Sequence, residues 1–178
     1  MTQRLSGIAI QILDVASRQI VGDLPSGPDP EQLNIHPSGS PVYVANEDDA
    51  LMTAIDLKEK KVVAEVPVGV EPEGVGVSPD GKLLIATSET SNMAHFIDTD
   101  TYELIDSVLV GSRPRFAEFT SDGTQLWVSS EVAGTVSVID VKTRKIITRP
   151  YSCRGRRSAW PPTMPAETIP WLRYSPST

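Results

Sequence analysis

The sequence predicts an all-β protein, and three observations support this prediction. Residue types recur at a fixed interval of 42 positions. Each unit reads as four short strands separated by turns rich in proline, glycine and aspartate. Several strands are apolar on both faces, as in sheets packed between two neighbours. A four-stranded unit of about 40–45 residues has the size of a propeller blade. The recurring columns are Asp14, Asp56, Asp98 and Asp140; Gly27, Gly69 and Gly111; Pro30, Pro72 and Pro114; Gly39, Gly81 and Gly123; Glu47, Glu89 and Glu131.

The middle unit shows the four predicted strands in order. GVGVS (74–78) ends in the turn PDG, and LLIATS (83–88) leads into a polar loop. AHFID (94–98) and ELIDSVLV (103–110) follow as the third and fourth strands. The 42-residue interval extends this order to the other units. The fold class is therefore a partial β-propeller, with about three four-stranded antiparallel blades of 42 residues plus half a blade.

The repeated turn residues have mechanical roles. Pro79 presets φ, Asp80 caps its turn and Gly81 takes a positive φ. The aspartate that ends each ID pair, such as Asp98, is expected to accept hydrogen bonds from the backbone amides that follow. Recurrence once per unit is what a turn requires and what a catalytic acid does not, so these columns predict structure.

The repeats divide the chain into two regions. Residues 1–148 are predicted to form an incomplete propeller, with half a blade at 8–24 and blades at about 30–67, 73–110 and 115–148. Residues 149–178 lie outside the repeat and hold 6 of the 15 prolines. Such a density suits neither strands nor helices, and we expect a disordered or frame-shifted tail.

Composition excludes several classes of function. The net charge is −7, although residues 149–178 carry five arginines against one glutamate, so the repeat region is strongly acidic. This charge argues against nucleic acid as a partner. No run of 18 apolar residues predicts a membrane span. The only cysteine, Cys153, lies in the tail, so the repeats offer no thiolate for metal binding or nucleophilic catalysis.

Several stretches carry a resemblance to a known family. The sequence resembles the YVTN family of β-propeller repeats in VYVANE (42–47), VPVG (66–69) and VSPDGK (77–82). TSETSNMAHFID (87–98) and LWVSSEVAGTVSVIDV (126–141) look like the propeller proteins associated with PQQ-dependent catabolism. The resemblance implies an exported protein that works beside quinoprotein alcohol dehydrogenases and cytochromes c. It implies a periplasmic location, whereas the N-terminus as written lacks a signal peptide and would leave the chain in the cytoplasm.

One end of the predicted blades gathers charged residues. The loop before the first strand and the loop between the second and third strands lie at the same end of every blade, and they carry mostly acids. Two arginines interrupt these acidic columns. Acids suit a basic partner, and an arginine pair suits a carboxylate or phosphate; pairing of the arginines with neighbouring acids is the alternative. The predicted binding residues are Glu31, Glu73, Glu89, His95, Arg113, Arg115 and Glu131.

Three functions remain open at this stage. The first is a non-enzymatic binding or scaffold propeller for periplasmic alcohol oxidation, with a quinoprotein dehydrogenase or cytochrome c as partner. The second is an enzyme resembling lactonases or the haem d1 domain, with its active site in further blades. The third is a non-functional fragment. We predict no catalytic residue, metal site or cofactor in this segment, and we expect the exposed terminal blades to allow dimerisation.

Overall fold

The computed structural model describes residues 9–152, and these residues form fourteen β-strands and no helix. The predicted tail beyond Ser152 lies outside the described residues. No helix in the described part of the chain is long and apolar enough to cross a membrane. The strands are β1 (Ala9–Asp14), β2 (Gln19–Pro25), β3 (Pro30–Ile35), β4 (Val42–Asn46), β5 (Leu51–Asp56), β6 (Lys61–Pro67), β7 (Pro72–Val77), β8 (Leu83–Ser88), β9 (Met93–Asp98), β10 (Leu104–Leu109), β11 (Pro114–Phe119), β12 (Gln125–Ser130), β13 (Thr135–Asp140) and β14 (Lys145–Ser152).

The strands form four antiparallel sheets in chain order. β1 pairs with β2, and three four-stranded sheets follow with the orders β3-β4-β5-β6, β7-β8-β9-β10 and β11-β12-β13-β14. We call these three sheets blade 1, blade 2 and blade 3, and the two-stranded sheet the half-blade. The predicted all-β, partial-propeller fold class is confirmed. β14 continues to Ser152, four residues past the predicted end of the repeats at residue 148.

The backbone repeats the 42-residue period even where the side chains do not. Positive φ angles occur in four columns, and only one column is glycine throughout. The aspartates that end the third strands also act alike: one carboxylate oxygen of Asp98 accepts the amides of Asp100 and Thr101. The predicted turn-capping role is thereby confirmed. The positive-φ columns are Arg18, Lys60, Tyr102 and Arg144; Asp29, Glu71 and Arg113; Ala50, Asn92 and Gly134; Gly39, Gly81 and Gly123.

The hydrophobic core lies between the sheets. Side chains alternate along each strand, so Leu84 and Ala86 of β8 join the cluster shared with blade 1. Ile85, between them, joins the cluster shared with blade 3. All three are at most 1% exposed. Burial on both faces explains why this strand is apolar without alternation.

The innermost strands pack most closely. β7 contacts both β3 and β11. A Cβ built on Gly74 would lie 2.8 Å from the carbonyl oxygen of Arg115, so only glycine permits this approach of β7 to β11. On the other side of β7, Gln32 accepts the Val75 amide and Asn34 donates to the Val75 carbonyl. These contacts fix the relative positions of the three strands that carry the charged residues described next.

Candidate functional site

Charged residues from all three blades lie at one end of the propeller, which we call the rim. Equivalent backbone hydrogen bonds join the two loops at this end of each blade: the amides of Glu47, Glu89 and Glu131 donate to the carbonyls of Asp29, Glu71 and Arg113. The predicted placement of these loops at the same end is therefore confirmed. The rim comprises Asp29, Glu31, Glu47, Asp48, Asp49, Glu71, Glu73, Glu89, Arg113, Arg115 and Glu131.

The two rim arginines are engaged by carboxylates. Glu89, 7% exposed, bridges them: its Oε2 lies 2.6 Å from Nε of Arg113, and its Oε1 lies 2.8 Å from a terminal nitrogen of Arg115. Arg115 also binds Glu73. Glu131 is more exposed, at 54%, and its Oε2 lies 3.4 Å from both guanidinium groups. Five predicted site residues thus form one network, which we call the Arg–Glu network.

The ion pairs bear on the pKa values of the network. The hydrogen bond to Glu89 and its negative charge raise the pKa of Arg113. Burial raises the pKa of Glu73 to about 7; the Glu31 carboxylate adds to the rise, and Arg115 opposes it. The Arg–Glu network therefore contains a carboxyl group that titrates close to neutral pH.

On the blade 1 side, the rim consists of acidic residues. Glu31, Glu73 and Arg115 occupy one repeat position on the three innermost strands. Carboxylate oxygens of Asp29, Glu31 and Glu47 lie within 4.8 Å of one another. Burial, the hydrogen bond to Glu31 and the neighbouring charges raise the pKa of Glu47. This trio of oxygens has the chemistry to hold a hard cation, but its geometry fits equally a solvated acidic surface.

An open depression of about 370 Å³ lies beside Arg113. Two of its lining residues are joined directly, because the Asn92 side-chain oxygen accepts the Arg113 amide at 2.9 Å. Thr90 donates its hydroxyl to Glu71 on the other side. The lining is polar apart from one valine, and it comprises Glu71, Glu89, Thr90, Asn92, Ser112, Arg113 and Val132.

His95 is engaged away from the Arg–Glu network. Its side chain is 6% exposed, and its Nε2 accepts the Gly69 amide at 3.1 Å. Its Nδ1 lies 2.8 Å from the Ser107 hydroxyl. Burial lowers the pKa of His95, which keeps the ring neutral and able to accept. Both nitrogens therefore hold the structure of blade 2.

Sequence reasoning missed how Glu71, Asn92 and Ser112 come together around the depression. They belong to three different loops, and their spacing of about 20 residues carries no motif. One signal was available: Asn92 stands where blades 1 and 3 have Ala50 and Gly134, and all three positions have positive φ. Asparagine tolerates that conformation better than most residues, so its position indicated a turn with a polar side chain.

Residues 2–114 match the family model described as the cytochrome D1 heme domain. No curated protein matches the sequence. Among solved structures, Kuenenia stuttgartiensis hydrazine synthase is similar, with 27% sequence identity and a TM-score of 0.66. That similarity covers 70% of this chain and 37% of the hydrazine synthase chain.

U3-55K is also similar in structure, with a TM-score of 0.65, over 71% of this chain and 40% of that chain. Its sequence identity is 14%, so this likeness concerns the fold alone. The chain therefore spans about two fifths of the length of the solved propellers that it resembles.

Proposed function

The chain belongs to the cytochrome D1 heme domain family, and from this premise we propose that it is a non-enzymatic binding propeller whose acidic rim docks a basic protein. The observation that carries this proposal is the bridging of Arg113 and Arg115 by Glu89. Because the guanidinium groups are already paired, they do not present free positive charge to a carboxylate or phosphate. The rim then acts as a negative surface.

The balance of charge supports a cationic partner. The Arg–Glu network contains three carboxyl groups and two guanidinium groups, and Glu73, with a pKa of about 7, carries only part of its negative charge at neutral pH. The acidic trio and the exposed Asp48 and Asp49 add further negative charge on the blade 1 side. Complementary potentials of this kind raise association rates and select partners more than they raise affinity.

The resemblance to YVTN propellers associated with PQQ-dependent catabolism narrows the choice of partner protein. A cytochrome c with a positive face, or a quinoprotein dehydrogenase with a basic docking patch, suits the rim. Both would place the chain in the periplasm. On this proposal the rim recognises the partner, and the chain itself performs no redox chemistry.

The family also implies a haem, and the described residues do not fit one at the rim. Haem iron is held by histidine, cysteine, methionine or tyrosine, and none of these types lines the depression beside Arg113. Both ring nitrogens of His95 are engaged, as are those of His36, which contacts the Ser38 hydroxyl and the Gly81 carbonyl. We therefore derive no haem chemistry from these residues.

Binding to a purified cytochrome c of net positive charge tests the proposal. Isothermal titration calorimetry between about 20 and 500 mM NaCl should give an affinity that falls steeply with salt, because the Debye length shrinks over this range. Glu31→Gln combined with Glu47→Gln should weaken binding. Glu59→Gln together with Glu103→Gln is the matched control: it removes the same charge from exposed turns at the opposite end of the blades.

Two outcomes would contradict a rim docking site. One is binding that does not respond to salt. The other is an equal loss of affinity in the rim and control variants, which would indicate attraction by net charge alone.

A second candidate, a haem d1-type enzyme, is favoured by the family match itself. Its haem would have to be held by residues outside those described. Absorbance titration of the full chain with haem separates the two candidates: a stoichiometric Soret shift that persists in His36→Ala and His95→Ala variants would favour this enzyme. An unshifted spectrum would favour the binding propeller.

A further inference from the structure

Three buried hydroxyl groups in blade 3 have no hydrogen-bond partner among the described residues: those of Ser130, Thr135 and Ser137. Ser130 and Ser137 are 3% and 0% exposed. Ser130 lies directly opposite Thr135 in the β12–β13 pair, and Ser137 follows Thr135 on the same face. Buried hydroxyl groups are normally satisfied by protein or by ordered water.

Blade 1 satisfies the same positions with side chains. Asn46 occupies the column of Ser88 and Ser130, and Thr53 occupies the column of His95 and Ser137. The Asn46 side-chain amide donates to the Thr53 hydroxyl at 2.6 Å. The Asn46 side-chain oxygen accepts the Ser26 hydroxyl at 2.7 Å. This blade therefore closes its polar positions directly.

Blade 2 uses an imidazole ring at these positions. His95 occupies the column of Ser137, and its Nε2 accepts the Gly69 amide. The ring also fills the space beside that glycine, since a Cβ built on Gly69 would lie 2.8 Å from Nε2. Blade 3 has a glycine in the same place, Gly111, but a serine in place of the imidazole.

Two of these hydroxyl groups lie against Gly111, at the position where blade 2 has the His95 ring beside Gly69. A Cβ built on Gly111 would lie 2.6 Å from Oγ1 of Thr135 and 2.9 Å from Oγ of Ser130. We propose that blade 3 binds an ordered internal water at this point, hydrogen-bonded to Ser130, Thr135 and Ser137 and placed to accept the Gly111 amide as His95 accepts that of Gly69. Such waters typically make two to four hydrogen bonds to otherwise unsatisfied groups.

The water has a structural consequence at the rim. Gly111 begins the segment that leads through Ser112 to Arg113, whose carbonyl accepts the Glu131 amide. A hydrogen bond from the Gly111 amide to the water fixes this segment, as the hydrogen bond from Gly69 to His95 fixes the equivalent segment in blade 2. The water thus supports the backbone that carries one arginine of the Arg–Glu network, whatever partner the rim binds.

Alanine variants of the full chain give opposite signs for a hydrated and a dry site. If the water is present, Ser130→Ala and Ser137→Ala each remove one of its partners and lower the melting temperature by about 2–4 °C. If the hydroxyls are unsatisfied, the same changes remove a desolvation penalty and raise or preserve it. Ser88→Ala is the matched control: Ser88 occupies the column of Ser130 and its hydroxyl is also unpartnered, but His95 takes the space beside it. It should raise or preserve the melting temperature.

A coupling measurement and a structure complete the test. The two alanine changes should be non-additive in the double variant, because both act through one water. Ser137→His should be more stable than Ser137→Ala, because the imidazole supplies an acceptor for the Gly111 amide. Additive stabilisation in the double variant would overturn the proposal. So would a high-resolution crystal structure in which a side chain sits between these hydroxyls.

Discussion

Replacing Glu89 by glutamine should destabilise the protein far more than the same change at Glu131. Glu89 is 7% exposed and contacts both rim arginines at 2.6 and 2.8 Å. Glutamine keeps the shape but removes the charge, and it turns an amide donor toward a guanidinium group. The two residues are 42 positions apart in one repeat column, so comparing the two variants tests how burial changes the effect of the same chemical substitution.

The magnitude follows from burial. Removing one partner of a fully buried ion pair costs about 3–5 kcal/mol, and exposed pairs contribute about 0.2–1 kcal/mol. Glu89 is buried, but both arginine side chains are more than a third exposed, at 45% and 37%. Screening of the arginines places the Glu89→Gln loss between these limits, at about 2 kcal/mol. For a chain of this size the melting temperature should fall by about 4–8 °C.

Thermal unfolding followed by circular dichroism at pH 7.5 and low salt provides the assay. Glu131→Gln should cost about 0.5 kcal/mol or less, since this side chain is 54% exposed and stands 3.4 Å from its partners. Added NaCl should reduce the effect of Glu131→Gln more than that of Glu89→Gln. Equal losses from the two variants would refute the assignment of Glu89 as the centre of the Arg–Glu network.

Three further predictions follow from single contacts. The folded-state pKa of Glu73 is raised from an ordinary value of 4.5 to about 7, so the folded protein binds more protons than the unfolded chain between these two values. The stability contributed by protonated Glu73 is therefore lost as pH rises through 7. Melting temperatures measured from pH 4 to 8 should show a flatter profile in Glu73→Gln than in the unaltered protein. Gly74→Ala should lower the free energy of unfolding by about 1–3 kcal/mol, because the new Cβ would meet the Arg115 carbonyl oxygen at 2.8 Å; urea titration measures this, and an unchanged midpoint would count against the close packing of β7 on β11. Asn46→Ala should cost about 1–3 kcal/mol by leaving the Thr53 hydroxyl buried and unpaired; Thr53→Val in the same background should recover part of that loss, and no recovery would argue against the pair.

The repeat made the strands and turns predictable from sequence. One interval, set by Asp98 and its equivalents, located every strand of the middle unit to within one or two residues. The same reasoning placed the two charged loops at one end of each blade. It could not foresee that Glu89 would bridge both arginines, since this depends on two loops and β11, which carry Glu89, Arg113 and Arg115, converging in space.

The sequence by itself determined the all-β class, the 42-residue period and the acidic rim, because strand alternation, turn chemistry and charge are local properties that recur visibly along the chain. Only the tertiary structure decided which charges neutralise one another. It also decided that Asn46 satisfies the polar positions of blade 1, that His95 satisfies the Gly69 amide in blade 2, and that the hydroxyls of blade 3 have no partner among the described residues. Those outcomes depend on how closely particular side chains approach one another within a blade and between adjacent blades. Distances of that kind arise when sheets stack, and periodicity does not encode them.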